Sequence, residues 1–124
     1  MSLPEFLYLS RSDIEKVSLT MKDIINAVEE AFREKGYGRV EMPPKPGVHP
    51  QNNSFIHAMP AYIPKLRSAG VKWVSGFPEN YKLGLPYITG LLILNDPKTS
   101  CSYLCYGLHV DNRDANWSGY GHGS

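Results

Sequence analysis

Hydrophobic residues recur at helical spacing between Thr20 and Gly36, and charged residues fill the opposite side of that segment. Thr20 followed by Asp23 predicts the start of a helix, because the two residues can cap each other's backbone N–H groups. Gly36 is expected just past its end, since glycine takes the left-handed conformation without a Cβ clash. Ser10 followed by Asp13 predicts a shorter helix upstream. The apolar stripe expected to face the core consists of Ile24, Ile25, Val28 and Phe32, and the charged side consists of Glu29, Glu30, Arg33, Glu34 and Lys35.

Farther along the chain, the hydrophobic pattern changes to the short runs that are typical of strands. Residues 69–75 alternate with a period of two. Val71 and Trp73 are therefore expected on one face of a strand, and Lys72 on the other. The other predicted strands are residues 6–9, residues 54–59 (closed by Pro60) and residues 87–94, an apolar run expected of a strand covered on both faces. Two helices followed by a run of strands predict an α+β fold with a mostly antiparallel or mixed β-sheet.

The composition narrows the classes of function. The chain has 124 residues and a formal net charge of +1, so we expect one domain at most. No basic stripe is visible, and neither nucleic acid nor an anionic membrane surface is an expected partner. No apolar run approaches the roughly 20 residues that span a bilayer, and the N-terminus lacks the pattern of a signal peptide. Together with a cysteine count of two, these features favour a reducing, cytoplasmic location.

Three basic residues are candidates for binding a ligand. Lys45 lies in a proline-stiffened loop, and His57 lies within a predicted strand, two residues before Met59. Burying the ammonium of Lys72 in mid-strand is costly unless an anion pairs with it, so Lys72 and Lys45 are candidates to hold a carboxylate. The alternative left open is that Lys72 faces water and that His57 is a structural histidine. No Gly-rich nucleotide motif follows a predicted strand.

The pattern of helices and strands breaks after Thr99. We expect a partial domain in residues 1–99 and, in residues 100–124, an unrelated and poorly ordered tail. The tail suggests an alternative function, a small non-enzymatic interaction module whose tail binds a metal ion. The spacing of its potential ligands does not follow a standard zinc pattern. These potential ligands are Cys101, Cys105, His109 and His122.

Five segments follow one another in the order and spacing of a known enzyme family. They are EMPPK at residues 41–45, MPAY at 59–62, GVKWVSGFP at 70–78, GLP at 84–86 and GLLILNDPKT at 90–99. Over about residues 4–99, the chain resembles the N-terminal part of the ornithine cyclodeaminase/mu-crystallin family. Residues 20–36 resemble the opening helix of that family.

The resemblance implies a two-domain enzyme of which this chain contains part of the first domain. In the family, the first domain binds substrate and forms a homodimer, and the second is a Rossmann domain that holds NAD(P). The parent enzyme would transfer a hydride at the Cα of an amino acid or cyclic imine. Ornithine cyclodeaminase in this way converts ornithine to proline plus ammonia, and relatives act as alanine dehydrogenases or ketimine reductases. Without the Rossmann domain, this chain alone is expected to be inactive and to bind no NAD(P).

The resemblance also implies substrate contacts. Lys45 matches the family's basic residue that meets the substrate carboxylate, Met59 lies in the strand beside it, and Lys72 matches the family's strand lysine. Ornithine cyclodeaminase has an acidic residue at the position of His57, where it can help to hold an amino group. His57 therefore argues against ornithine as the substrate. No catalytic, cofactor-binding or metal-binding residue is expected in this chain.

The tail of this chain differs from the family sequence. At this point the resemblance implies a strand that ends in Met-Asp, followed by a helix whose arginine binds the substrate carboxylate. The family sequence there is W-I-T-x-x-R-T-G-A-A-T. The codons allowed by residues 106–120, read one base out of frame, permit M-D-x-x-W-I-T-x-x-R-T-G-A-A-T. Trp117 forces the glycine of that string, because tryptophan has a single codon. We therefore expect that a single-base frameshift near Ser100 replaced the family continuation, the alternative being a divergent tail.

Overall fold

The computed structural model describes residues 5–110, in which two helices and a six-stranded sheet form the secondary structure together with two short 3₁₀ helices. This arrangement confirms the predicted α+β fold. No helix in this part of the chain is both long and apolar enough to cross a membrane. The helices are α1 (Arg11–Glu15) and α2 (Met21–Gly36), and the 3₁₀ helices are Pro64–Leu66 and Pro78–Leu83. The strands are β1 (Leu7–Leu9), β2 (Gly47–Val48), β3 (Phe55–Ile63), β4 (Ser68–Gly76), β5 (Ile88–Asn95) and β6 (Ser102–Val110).

The sheet has the strand order β1-β6-β5-β4-β3-β2. The pairs from β2 to β6 are antiparallel, and β1 pairs with β6 in parallel. Since β2 to β6 follow one another in the chain, each of these strands pairs with its neighbour in sequence. The long strands β3, β4 and β5 therefore form the middle of the sheet, where the candidate ligand-binding residues lie.

Both predicted helix starts are confirmed. The Ser10 hydroxyl accepts a hydrogen bond from the Asp13 N–H at 3.1 Å, and the Asp13 carboxylate accepts one from the Ser10 N–H at 2.9 Å. Thr20 and Asp23 make the same reciprocal pair at 3.1 and 3.0 Å. These bonds satisfy backbone donors that have no partner within the helix. They connect residues only three positions apart, which is why the sequence alone revealed them.

The end of α2 differs from the prediction in two respects. Gly36 is the last helical residue, and Gly38 is the glycine that takes the left-handed conformation, with φ +72°. Glu34, predicted on the charged outer side, is buried, with 2% of its surface exposed. Its burial is possible because Arg39 donates hydrogen bonds to both of its carboxylate oxygens, which replace lost hydration.

The apolar stripe of α2 was expected to face a core, and this prediction is wrong for the part of the chain that the structure describes. Its side chains are between 43% and 67% exposed. A groove of about 170 Å³ runs along part of the stripe, beside Met42 and Ile63. The burial that would stabilise an amphipathic helix is therefore incomplete in these residues. The exposed side chains are Ile24, Ile25, Val28 and Phe32.

Strand β3 passes through Pro60, where the sequence predicted its end. Ala58 donates its N–H to the Pro46 carbonyl at 3.0 Å, and Tyr62 donates its N–H to the Glu41 carbonyl at 2.8 Å. Alternate residues of a strand direct their N–H groups to the same side, so the nitrogen of Pro60 also faces residues 41–46. On that side, β3 has no continuous ladder of backbone hydrogen bonds to a neighbouring strand. Pro60, which has no N–H to donate, is therefore tolerated there as it would be on an edge strand.

The sheet continues beyond Thr99, which corrects the expectation that irregular chain begins at Ser100. Strand β6 pairs with β5 on one side and with β1 on the other. Cys105 and Leu108 of this strand are 6% and 4% exposed, among the most buried apolar residues described. These two buried residues are three positions apart, so β6 lacks the period of two by which a half-buried strand is recognised in a sequence. The rest of the tail, residues 111–124, lies outside the described residues.

Candidate functional site

Lys72 lies in the middle of β4, level with residues of both neighbouring strands. It pairs with Met59 on β3 and with Leu92 on β5. Residues paired directly across a sheet project from the same face, so these three side chains form one row. Lys72 is half-buried, and its neighbour Trp73 lies on the opposite face with 48% of its surface exposed. The alternation predicted for this strand is thus confirmed.

Lys45 reaches the same row from the proline-rich segment. Gly47 of β2 pairs with His57 of β3 in antiparallel register. Lys45 precedes Gly47 by two residues, and Met59 follows His57 by two, so continuing the register places Lys45 level with Met59. The two lysines therefore approach Met59 from opposite sides, one from each flanking segment.

These side chains surround a cavity of about 390 Å³. Its wall is largely apolar, and its charged members are two lysines, with no aspartate or glutamate. The described strands also contain no acidic residue. Ammonium groups held against an apolar wall favour an anionic ligand, because such a ligand compensates their lost hydration. The cavity is lined by Met42, Pro43, Lys45, Met59, Pro60, Ala61, Lys72 and Leu92.

His57 lies on the same face as this row but not in the cavity lining. Its ring stacks on that of Phe55, with centroids 4.5 Å apart and planes 21° apart. The His49 ring meets it edge-on at 6.5 Å. A Cβ added at Gly47 would collide with the His57 ring, which shows that the imidazole covers the backbone of β2. Of the four residues predicted to contact substrate, Lys45, Met59 and Lys72 thus line one cavity, and His57 lies beside it.

Sequence reasoning missed two kinds of contributors to the cavity. Met42 and Pro43 were noted only as part of a family-like segment, and Leu92 only as part of an apolar strand and of another such segment. The pairing of Leu92 with Lys72 depends on register, which no local pattern reveals. A larger hollow of about 740 Å³ lies elsewhere, lined by residues that include Arg67, Lys98 and Cys101, but by none of the four predicted substrate contacts.

The alternative metal site receives no support from the described part of the chain. No group of three potential ligand residues is found in residues 5–110. Cys105 lies in β6 and Cys101 just before it, whereas only a helix would bring residues four positions apart to within about 5–6 Å of each other. Four residues of extended chain span about 13 Å, too far for both thiols to bind one ion. His122, the last member of the proposed set, lies outside the described residues.

Comparison with known proteins identifies the family and several relatives of this chain. The sequence profile of the ornithine cyclodeaminase/mu-crystallin family matches residues 5–107, eight residues beyond the limit of 99 expected from the segments above. The chain is 47% identical over 92 residues to the nodulation efficiency protein NfeD of Rhizobium meliloti, covering 74% of this chain and 29% of that protein.

Two solved structures share the fold. The Thermococcus litoralis Δ1-pyrroline-2-carboxylate reductase, in complex with NADH and L-proline, is 40% identical with a TM-score of 0.76. An archaeal alanine dehydrogenase dimer with bound NAD is 36% identical with a TM-score of 0.74. Each match covers 82% of this chain but only 32% and 31% of the solved chains, so this sequence spans about a third of their length. The chain belongs to the ornithine cyclodeaminase/mu-crystallin family.

Proposed function

We propose that this chain supplies the carboxylate-binding side of an NAD(P)-dependent enzyme that transfers a hydride at the Cα of an amino acid or cyclic imine. The observation that carries the proposal is the convergence of Lys45 and Lys72 on one cavity without an acidic lining residue. The reductase and the alanine dehydrogenase similar to this chain contain NADH and NAD, and the first also contains L-proline. The proposed reaction is thus of the alanine dehydrogenase, ketimine reductase or ornithine cyclodeaminase type.

In this proposal the residues of this chain bind and orient the substrate. The two ammonium groups hold the carboxylate, and Met59 between them provides an apolar surface for the rest of the molecule. Fixing the carboxylate at two points restricts the orientation of the attached Cα, which is how a binding site lowers the entropic part of a barrier. NAD(P) would supply hydride chemistry when bound to the whole enzyme.

The described residues do not fit an NAD(P)-binding site. A pyrophosphate is held by a Gly-rich turn at a helix N-terminus. Helices α1 and α2 both begin before Gly36, the first glycine in the chain. No step of hydride transfer is therefore assigned to this chain, and we propose that the chain alone is inactive.

We further propose that the whole enzyme is a homodimer located in the cytoplasm. The similar alanine dehydrogenase is a dimer. One face of the sheet in this chain exposes Trp73 and Leu91, which are 48% and 38% exposed, and such an apolar face is typical of an interface. Cys101 and Cys105 are free thiols, as in proteins of a reducing compartment.

The experiment that tests the proposal is a titration of the isotope-labelled chain with L-alanine, followed through its amide NMR signals. We expect saturable shifts at Met59, Lys72 and Leu92, and a loss of affinity of roughly tenfold in Lys72→Met, since a charged hydrogen bond contributes about 1.5–3 kcal/mol. Lys72→Met keeps the length of the side chain but removes its charge. Lys22→Met is the matched control, because Lys22 lies on α2 and does not line the cavity. Equal affinities in the two variants, or no saturable shifts at all, would contradict the carboxylate site.

A further inference from the structure

Lys45 reaches the cavity from a segment whose strand is very short. Strand β2 consists of Gly47 and Val48, and both residues are exposed. Just before it, the Pro46 carbonyl accepts a hydrogen bond from the Ala58 N–H at 3.0 Å. So short a strand gains little stability from its own pairing, and contacts with side chains of β3 are therefore expected to contribute to its position.

The imidazole of His57 makes such a contact with β2. A Cβ added at Gly47 would collide with Cδ2 of the His57 ring and would lie 2.9 Å from its Nε2. The ring thus occupies the space that the side chain of any other residue at this position would need. Gly47 follows Lys45 by two residues, so the contact lies close to Lys45 along the chain.

Phe55 supports the imidazole from the side of β4. Its ring stacks on the His57 ring, with centroids 4.5 Å apart and planes 21° apart. The Phe55 ring in turn covers Gly76, a buried residue of β4, where an added Cβ would lie 2.6 Å from Cζ of Phe55. The two stacked rings therefore lie between glycines of the two strands that flank β3. Because the His57 ring is stacked on one face and in contact at its edge, it loses packing if it swings away.

We infer that His57 is a positioning residue for Lys45. Its ring holds the β2 segment against β3 and thereby keeps Lys45 level with Met59, at the carboxylate cavity. Prolines directly precede and follow Lys45 and restrict the backbone there, so a shift at Gly47 also displaces Lys45. This role depends on the shape of the ring and needs no contact between the imidazole and the ligand. The inference rests on the proposed function, because it assumes that Lys45 holds the carboxylate.

The test is a double-mutant cycle in the full chain, with L-alanine titrations followed through the amide NMR signals. Lys45→Met should weaken binding roughly tenfold in the otherwise unchanged chain, because it removes a charged hydrogen bond. In His57→Ala, the same change should weaken binding less than about twofold, since Lys45 has already lost its position. Lys72→Met is the matched control. It should weaken binding roughly tenfold with or without His57→Ala, because Lys72 is fixed by pairing with the long strands on both sides of β4.

Two further variants separate the shape of the ring from its chemistry. His57→Phe keeps a flat ring on Phe55 and beside Gly47, so Lys45→Met should again weaken binding roughly tenfold in it. Gly47→Ala displaces the imidazole from the opposite side and should reduce the contribution of Lys45 as His57→Ala does. Because Gly47 is exposed on the edge strand of the sheet, this variant also supplies the comparison if His57→Ala does not fold.

The outcomes separate this inference from the proposed function. An undiminished contribution of Lys45 in His57→Ala or in Gly47→Ala would overturn the inference and leave the proposed function standing. A contribution of Lys72 that is lost together with that of Lys45 would also overturn it, because the effect would then be a general loss of structure. Loss of the Lys45 contribution in His57→Phe would overturn the role of ring shape. An absence of saturable L-alanine binding by the unchanged chain would overturn both proposals.

Discussion

Arg39 holds the buried carboxylate of Glu34 with two parallel hydrogen bonds, from Nε to Oε1 at 3.0 Å and from Nη2 to Oε2 at 2.6 Å. The Arg39 guanidinium also lies 4.3 Å from the centre of the Tyr37 ring, and its backbone N–H donates to the Glu34 carbonyl at 3.0 Å. These contacts join the last turn of α2 to the segment that leads to Lys45. Because a two-point bond between planar groups fixes orientation as well as distance, the pair determines the direction in which that segment leaves the helix.

The first prediction concerns the pH dependence of this pair. The hydrogen bonds from Arg39 lower the pKa of Glu34 below its usual value of 4.5, against the opposing effect of burial. Because the pKa of Glu34 is lower in the folded than in the unfolded chain, its ionised form stabilises the fold at pH values above the unfolded-state pKa. This stabilisation is lost as the pH falls through the folded-state pKa. We therefore expect Arg39→Met to lower the urea midpoint at pH 7 much more than at pH 3. Lys82→Met, which removes an exposed pair with Glu79 far along the chain from Glu34, is the control. An equal loss at both pH values would contradict the prediction.

The second prediction concerns the close approach of β4 and β5 at Gly90. A Cβ at this position would lie 2.6 Å from the Trp73 carbonyl oxygen and 3.0 Å from the Cα of Val74. Both contacts are with backbone atoms, which cannot move aside as a side chain can. We expect Gly90→Ala to destabilise the chain by about 1–3 kcal/mol, measured by urea unfolding.

Gly36→Ala is the matched control for that change. Apart from its chain neighbours and the backbone of its own helix, no atom lies within 4 Å of the added Cβ, and alanine favours the helix more than glycine does. We expect it to be neutral or stabilising. A loss of stability equal to that of Gly90→Ala would show that the substitution, not the strand contact, is responsible.

The third prediction concerns the cofactor. We expect no saturable heat when NAD or NADH is titrated into the purified chain, since neither described helix begins with a Gly-rich turn. The Thermococcus litoralis reductase, whose structure contains NADH, provides the positive control. Saturable binding with one cofactor per chain would refute this expectation.

The fourth prediction concerns the gene. The family profile ends at residue 107, and residues 111–124 lie outside the described part of the chain. We expect the nucleotides encoding residues 110–120, read one base out of frame, to spell W-I-T-x-x-R-T-G-A-A-T. Sequencing the gene provides the measurement. A shifted frame without this string would favour a divergent tail.

The substrate site was accessible to sequence reasoning only in part. Lys72 stood out because a lysine in an apolar strand needs an explanation, and Lys45 because prolines fix its surroundings. The role of Met59 came from the family resemblance. No pattern indicated that Leu92 and Met42 would join them, because that depends on the register of segments far apart in the chain.

The sequence by itself determined the local features of this protein: the capped starts at Ser10 and Thr20, and the alternation around Lys72. Each depends on backbone geometry within a few residues, which side-chain type and spacing control directly. Tertiary structure alone decided that Glu34 is buried, that β3 continues through Pro60 and that β6 completes the sheet. The physical reason is that these outcomes depend on hydrogen-bond partners in distant segments, which the local order of residues does not specify.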